Sequence, residues 1–314
     1  MIRRASLVLG LIIIFLALPR IATLAVDREP PAQPYSEDDA YLKEIQKWRA
    51  ERLDEINGDN GWTTLVGLFW LNEGQNKFGS DPSNDIVLPR SSSLKLAGSL
   101  RLDKEVVHLE PSPDAGITSG DVPASKMVLQ SDAVGEPTVL KMGSLTLFVI
   151  KRGEKFGLRV KNKQHPARTH FAGLDYFPID MKRRLEAKFE PYDPPKIVPI
   201  VNVLGMVENM TSPGALVFEI NGNTYRLDPV LEKGSKQLFI IFADKTTGRQ
   251  TYGAGRYLYA KPPGSDGKVV VDFNKAHNPP CAFTKFATCP LPPRQNRLAI
   301  RVEAGEKKYT KSGH

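Results

Sequence analysis

The chain has 314 residues, of which 41% are hydrophobic and 25% are charged, and its formal net charge is +8. This composition is typical of a globular protein and excludes a largely disordered chain, and the length allows one large domain or two smaller ones. Glycine and proline number 25 each. So many turn-forming residues favour a β-rich fold over a helical bundle.

The first 25 residues have the pattern of an export segment. Arg3 and Arg4 precede an apolar run over residues 5–19, and that run is short for a membrane span of about 20 residues. We interpret residues 1–25 as a signal peptide or N-terminal anchor, and we expect an exported protein, periplasmic or extracellular, with a possible N-terminal membrane tether. Residues 26–35 are rich in proline and are predicted to form an extended linker.

The positive charge does not identify a partner. Loss of Arg3, Arg4 and Arg20 with residues 1–25 would lower the net charge from +8 to +5. Outside the cytoplasm, such an excess fits attraction to anionic envelope surfaces and gives no reason to expect nucleic acid. We expect a small-molecule or envelope partner whose identity the sequence does not specify.

Residues 36–58 are predicted to form the clearest helix. Ser36 suits the N-cap, and Asn57-Gly58 suits the C-terminal end. We expect one stripe of this helix to pack on the rest of the protein, because its long side chains recur at helical spacing. The stripe consists of Tyr41, Ile45, Trp48, Arg52 and Ile56, with Leu42 and Leu53 beside it.

Two β regions are predicted to follow the helix, over residues 59–160 and 161–314. The first ends in a hairpin over residues 145–162, where two strand-forming runs flank a short polar turn. The fold class is therefore mainly β, with an N-terminal helix and two β-sheet regions of sandwich or barrel-like form. An irregular, proline-rich C-terminal loop over residues 272–293 completes it.

Three further patterns lie in the second region. Asn221-Gly222 between two apolar runs predicts a hairpin turn. Residues 251–274 predict a strand pair around a turn rich in proline and glycine, and residues 297–309 predict a last strand pair or a strand and tail.

The loop at 272–293, hereafter the signature loop, contains both cysteines of the chain and five prolines. Prolines exclude a regular helix and a central strand, so the loop is either a structural clasp or the wall of a site. Cys281 and Cys289 most simply form one disulfide in an exported protein, which would stabilise it by about 2.5 kcal/mol. Their spacing matches no standard zinc site.

The C-terminal third, together with some earlier segments, resembles a known bacterial family, catalogued as domain of unknown function 1684. The segments that carry this resemblance are residues 62–89, 157–162, 171–180, 251–260, 271–298 and 303–309. The resemblance implies kinship and no established activity, so it assigns no catalytic residues. At position 277 it implies an aromatic residue, commonly tyrosine, where this chain has His277.

A weaker likeness lies at residues 72–89, which resemble the turn region of forkhead-associated domains. Those domains read phosphothreonine with an arginine directly after the glycine that corresponds to Gly79, and this chain has Ser80 there. We therefore expect shared strand-turn-strand geometry and no phosphopeptide binding.

Polar residues in and before the signature loop are the candidates for a ligand site. Asparagine and aspartate side chains hold irregular segments in shape, and they also bind ligands. An arginine here can clamp an anion or pair with a buried carboxylate, and a histidine can act as a general base. The ligand-binding candidates are Tyr252, Arg256, Asp272, Asn274, His277 and Asn278.

Metal and cofactor motifs are not evident. His165, His170, Asp175 and Asp180 lie close in sequence, but their spacing fits no regular element, so we expect neither a metal site nor a cofactor. No glycine-rich phosphate loop, nucleophile elbow or zinc-protease motif occurs.

Two functions remain open from the sequence. The first is an exported cell-envelope protein that binds a ligand or partner without catalysis. The alternative is an extracytoplasmic hydrolase acting on an envelope ester or glycan, with Asp272 or His277 working beside Arg256. An enzyme would bring these three side chains together in one open cleft, which is a geometric test.

Overall fold

The structure is a computed structural model that describes residues 37–90 and 93–310. The predicted signal segment at 1–25, the linker at 26–35 and the N-cap residue Ser36 lie outside these ranges. Among the described residues, no helix is long and apolar enough to cross a membrane.

The predicted fold class, mainly β with an N-terminal helix, is confirmed. The helices are α1 (Glu37–Asn57) and α2 (Pro166–Thr169). The strands of the first region are β1 (Leu65–Trp70), β2 (Gly74–Gly79), β3 (Ile86–Val87), β4 (Gly98–Asp103), β5 (Val106–Pro111), β6 (Thr118–Ser119), β7 (Val122–Pro123), β8 (Met127–Leu129), β9 (Leu140–Met142), β10 (Leu145–Arg152) and β11 (Lys155–Asn162). The strands of the second region are β12 (Arg184–Val201), β13 (Val207–Ile220), β14 (Asn223–Leu227), β15 (Val230–Leu231), β16 (Leu238–Phe242), β17 (Arg256–Ala260) and β18 (Lys268–Asp272).

The first region is a sandwich of two sheets that share one hydrophobic core. One sheet has the order β1-β11-β10-β9-β6-β7, and the other has the order β3-β2-β4-β5-β8. Alternation along β11 decides which side chains enter the core. Leu158 and Val160 pack inside, while Arg159 and Lys161 belong to the opposite face, away from this core.

The second region is a half-barrel sheet with the order β17-β16-β15-β13-β12-β18, and β14 pairs with β13. The predicted hairpin turn at Asn221-Gly222 is confirmed, because both residues have positive φ and join β13 to β14. The strand pair predicted over residues 251–274 is wrong. Both strands form, but β17 pairs with β16 and β18 pairs with β12, so they are the two ends of the sheet path.

Helix α1 packs on the second region along the predicted stripe. Tyr41, Ile45, Arg52 and Ile56 are buried, while Leu53 is exposed on the flank. A buried arginine in an apolar stripe requires a partner, and for Arg52 this partner is Glu306. The helix is therefore an integral part of the core.

The C-terminal segment over residues 297–309 differs from both predicted forms, a strand pair or a strand and tail. It is extended but irregular, with Val302 and Ala304 buried in the core of the half-barrel. Gly305 has a positive φ of 76°, and a Cβ there would lie 2.2 Å from the Ala276 carbonyl oxygen. Only glycine allows this close approach, so the segment packs directly against the start of the signature loop.

Candidate functional site

The structure does not bring Arg256, Asp272 and His277 together in one open cleft. The Arg256 side chain is 1% exposed and donates to the carbonyl oxygens of Ala304 (2.5 Å) and Val302 (2.8 Å). Its carboxylate partner is Asp244, at 3.5 Å. Arg256 thus ties β17 to the C-terminal segment, as expected if it pairs with a buried carboxylate.

Asp272 and Asn274 lie under helix α1 instead. The Tyr41 hydroxyl donates to the Asp272 carboxylate at 2.8 Å, and the Asn274 backbone N–H donates to it at 3.1 Å. Asn274 also donates to the carbonyl of Asp180. Burial raises the pKa of Asp272, although these hydrogen bonds act in the opposite direction. The pair anchors the helix to the signature loop.

Asn278 belongs to a second buried anchor of the helix. The Arg52 guanidinium donates to the Asn278 carbonyl oxygen at 2.6 Å and to Glu306 at 3.0 Å. The other oxygen of Glu306 accepts the backbone N–H of Asn278 at 2.8 Å. Burial raises the pKa of Glu306, and Arg52 opposes this shift. Helix, loop and C-terminal segment meet at this ion pair.

His277 is the one sequence candidate among these six that lines the large cavity of the described residues. Its ring is stacked near Tyr259 with centroids 6.0 Å apart, and Trp48 lies 6.1 Å away. Burial lowers the pKa of His277 well below its usual value, and Arg52 adds to the effect. The imidazole is therefore neutral, and its Nδ1–H donates to the Lys275 carbonyl at 3.1 Å.

Tyr252 and the two cysteines occupy the middle of the signature loop. The Tyr252 hydroxyl donates to the Cys281 carbonyl oxygen at 2.8 Å, and the Cys281 N–H donates to Cys289 Sγ at 3.1 Å. The structure contains two free thiols and no bridge, so the disulfide stays a prediction. A hydrogen bond from the Cys289 thiol lowers the pKa of Cys281, so the two sulfurs are close neighbours.

The cavity has a volume of about 1580 Å³ and lies between the two β regions. It is bounded by helix α1, the β10–β11 turn, strands of the half-barrel and the signature loop. Its size exceeds that of most small-molecule pockets, which enclose about 300–1,000 Å³. Its aromatic lining residues are Trp48, Trp62, Phe239, Tyr257, Tyr259 and His277.

The wall from the first region is basic. Arg159 on β11 is 6% exposed, and Arg152 ends β10 on the same face of the hairpin. Both guanidinium groups donate to the Thr288 hydroxyl, at 3.3 Å and 3.2 Å respectively. Arg152 pairs with Asp132 at 2.9 Å, whereas Arg159 has no carboxylate within salt-bridge distance among the described side chains.

The wall from the second region carries carboxylates. Glu232 follows β15 and is hydrogen-bonded to Tyr259. Burial raises the pKa of Glu232, the hydrogen bond from Tyr259 lowers it, and the charge of Glu208 raises it further. The lining therefore contains guanidinium groups from the first region and carboxylates from the second, together with Asp132 and Lys233.

Arg152 and Arg159 were missed from the sequence. Strand alternation in the predicted hairpin could have placed Arg159 opposite the core-facing Leu158 and Val160. It could not have shown that the signature loop, whose Thr288 lies 129 positions further along the chain, covers that face. His165 and Asp180 cap short helical turns, and no group of three or more potential metal ligands occurs within residues 37–90 and 93–310.

Three comparisons place the chain among known proteins. No curated protein matches it. A solved structure of an uncharacterized protein from Haloarcula marismortui is 34% identical, covers 47% of this chain and 81% of its own, and gives a TM-score of 0.39. An FHA domain studied for its phosphothreonine-dependent interactions is 20% identical, covers 33% of this chain and 99% of its own, and gives a TM-score of 0.22.

The match to a protein family confirms the resemblance of the signature loop. The model of the family described as "Protein of unknown function (DUF1684)" covers residues 169–307, which include the half-barrel, the loop and most of the C-terminal segment. Over these residues the chain resembles the DUF1684 family of proteins of unknown function.

Proposed function

We propose that this protein is exported to the cell envelope and binds a small molecule, without catalysis, in the cavity between its two β regions. The observation that carries the proposal is the cavity itself, about 1580 Å³ with an aromatic lining from several elements. Concave, aromatic-lined spaces with a few polar groups are the usual form of ligand sites. Tyr259 is central to it, because its ring lies 4.9 Å from that of Phe239 and 6.0 Å from that of His277.

The geometry gives less support to an extracytoplasmic hydrolase of an envelope ester or glycan. Arg256 and Asp272 are engaged in separate buried contacts, with Asp244 and Tyr41. His277 lines the cavity, but burial holds its pKa well below the ordinary value, which makes the imidazole a weak general base. The binding proposal needs none of these groups to react.

The test is binding of a neutral aromatic probe, 2-naphthol, measured by calorimetry. Tyr259→Ala removes the centre of the aromatic wall and should weaken binding about tenfold, since an aromatic contact contributes up to about 1.5 kcal/mol. Tyr225→Ala is the matched control, because Tyr225 stacks on Phe218 outside the cavity.

Two results would contradict the proposal. Equal binding to wild type, Tyr259→Ala and Tyr225→Ala would place the probe outside the cavity, and failure of the wild type to bind would remove the support for a ligand site. Turnover of a nitrophenyl ester or glycoside that is lost in His277→Ala, with the fold intact, would establish catalysis instead.

Export is proposed together with the disulfide. When Cys281 and Cys289 form a disulfide, the two thiols lose two electrons and two protons. An oxidising disulfide protein of the envelope accepts them and is reduced to a dithiol. The neighbouring positions of the two thiols and the lowered pKa of Cys281 favour this reaction. Closing the loop would stabilise the protein by about 2.5 kcal/mol.

Thiol counting in fractionated cells tests both statements. The full chain should be recovered outside the cytoplasm, and after unfolding without reductant it should take up no maleimide label. Cys281→Ser should take up one label, at Cys289, as the control. Two labels on exported wild-type protein would refute the bridge, and retention in the cytoplasm would refute export.

A further inference from the structure

We propose that the ligand of the cavity carries an anionic head group, a carboxylate or a phosphate, and that Arg159 holds this group with Thr288 beside it. The inference rests on the proposed function and adds the chemical class of the ligand.

The basic wall holds more positive than negative charge. Arg152, Arg159 and Asp132 form one cluster, and Asp132 is already paired with Arg152 at 2.9 Å. This leaves Arg159 as an excess buried cation. An isolated charge that is taken out of water costs several kcal/mol unless a counter-charge reaches it. A bound anion would supply that counter-charge.

The Arg159 guanidinium also has hydrogen-bonding capacity that the protein does not use. Its Nε is buried and has no hydrogen-bond partner, while one terminal nitrogen donates only to Thr288 at 3.3 Å. Burial lowers the pKa of Arg159 to about 10, and the charge of Arg152 adds to this shift. The group therefore remains a cation at neutral pH, with in-plane N–H groups suited to two oxygens of one carboxylate or phosphate.

An aromatic ring flanks the guanidinium group of Arg159. The Trp62 ring lies 5.5 Å from the guanidinium carbon of Arg159, and cation–π contact leaves the edges of the guanidinium available for hydrogen bonds. Thr288 belongs to the signature loop, whose neighbouring Thr284 donates to the Leu65 carbonyl at 2.9 Å. The loop thus completes the anion site by docking on the first β region.

The opposite wall should select against a second anion at the far end of the ligand. Glu232 and Glu208 line that side, and like charges at close range are unfavourable. A ligand with one anionic end and a neutral, hydroxylated or cationic body fits both walls. The aromatic residues between them suit a planar or sugar-like body.

The test compares three probes with the same aromatic body: 2-naphthoate, 2-naphthyl phosphate and the neutral 2-naphthol. Calorimetry with the full wild-type chain should show that the two anions bind at least about tenfold more tightly than 2-naphthol. Arg159→Gln should abolish this preference, and Arg159→Lys should restore part of it. Arg101→Gln is the control, since Arg101 is exposed and pairs with Asp103 outside the cavity.

The possible outcomes separate the two proposals. If 2-naphthol binds as well as the anions, or if Arg159→Gln keeps the preference while thermal unfolding shows an intact fold, the anion site is refuted and the cavity remains a ligand site. If none of the three probes binds wild type, the proposed function fails as well. The tighter of the two anions identifies the head group as carboxylate or phosphate.

Discussion

Replacing Arg256 by methionine is expected to lower the free energy of unfolding by about 3–5 kcal/mol, the cost of breaking a buried ion pair from one side. The substitution leaves the Ala304 and Val302 carbonyls without their donor, and it leaves Asp244 without its cation. Urea unfolding followed by far-UV circular dichroism measures the change. A loss below about 1 kcal/mol would contradict a structural role for Arg256.

Arg159→Met is the matched comparison, because both arginines are buried and both sit on strands. Its removal leaves no carboxylate unpaired, since Asp132 keeps its pair with Arg152. Replacement of a poorly compensated buried charge by an apolar side chain is neutral or stabilising. We therefore expect Arg256→Met to unfold far more easily than wild type, and Arg159→Met to be at least as stable as wild type. A residue that lowers stability while lining a cavity is characteristic of a binding site.

Local sequence patterns predicted the positions of helices, strands and turns better than they predicted which strands pair. The helical stripe from Tyr41 to Ile56 and the hairpin turn at Asn221-Gly222 follow from spacing and turn chemistry, which act over a few residues. The connection between β17 and β18 is just as rich in turn residues, and yet these strands do not pair. A turn signal specifies a change of direction, while the pairing partner depends on the packing of the whole sheet.

The candidate site shows even more strongly that local sequence patterns do not specify contacts between distant parts of the chain. Asp272, Asn274 and Asn278 are polar residues in an irregular loop, and the alternative that they hold the loop in shape agrees with their bonds to Tyr41 and Lys307. The sequence does not distinguish Arg159 from an ordinary strand residue, because it does not show which face of a hairpin a distant loop will cover. Only the docking of Thr288, 129 positions away, makes that face a cavity wall.

The buried ion pair of Arg52 and Glu306 should stabilise the packing of helix α1 on the rest of the protein. Arg52→Met leaves the Glu306 carboxylate, with a side chain that is 0% exposed, without a cation. We expect a loss of about 3–5 kcal/mol in the free energy of unfolding at neutral pH. Lys47→Met on the same helix is the control, and it should change stability by less than about 0.5 kcal/mol because Lys47 is 79% exposed.

The stability loss caused by Arg52→Met should change with pH in a defined direction. Burial already raises the pKa of Glu306 above its ordinary value, and loss of Arg52 would raise it further. A carboxyl group whose pKa is raised by folding stabilises the folded state below its unfolded pKa, about 4.3, and that contribution is lost as pH rises through the folded pKa. The cost of Arg52→Met should therefore shrink on acidification from neutral pH to about pH 4. Because α1 also carries Trp48 into the cavity wall, Arg52→Met should weaken probe binding as well. An equal loss in the free energy of unfolding at neutral pH and at about pH 4 would contradict this role of the ion pair.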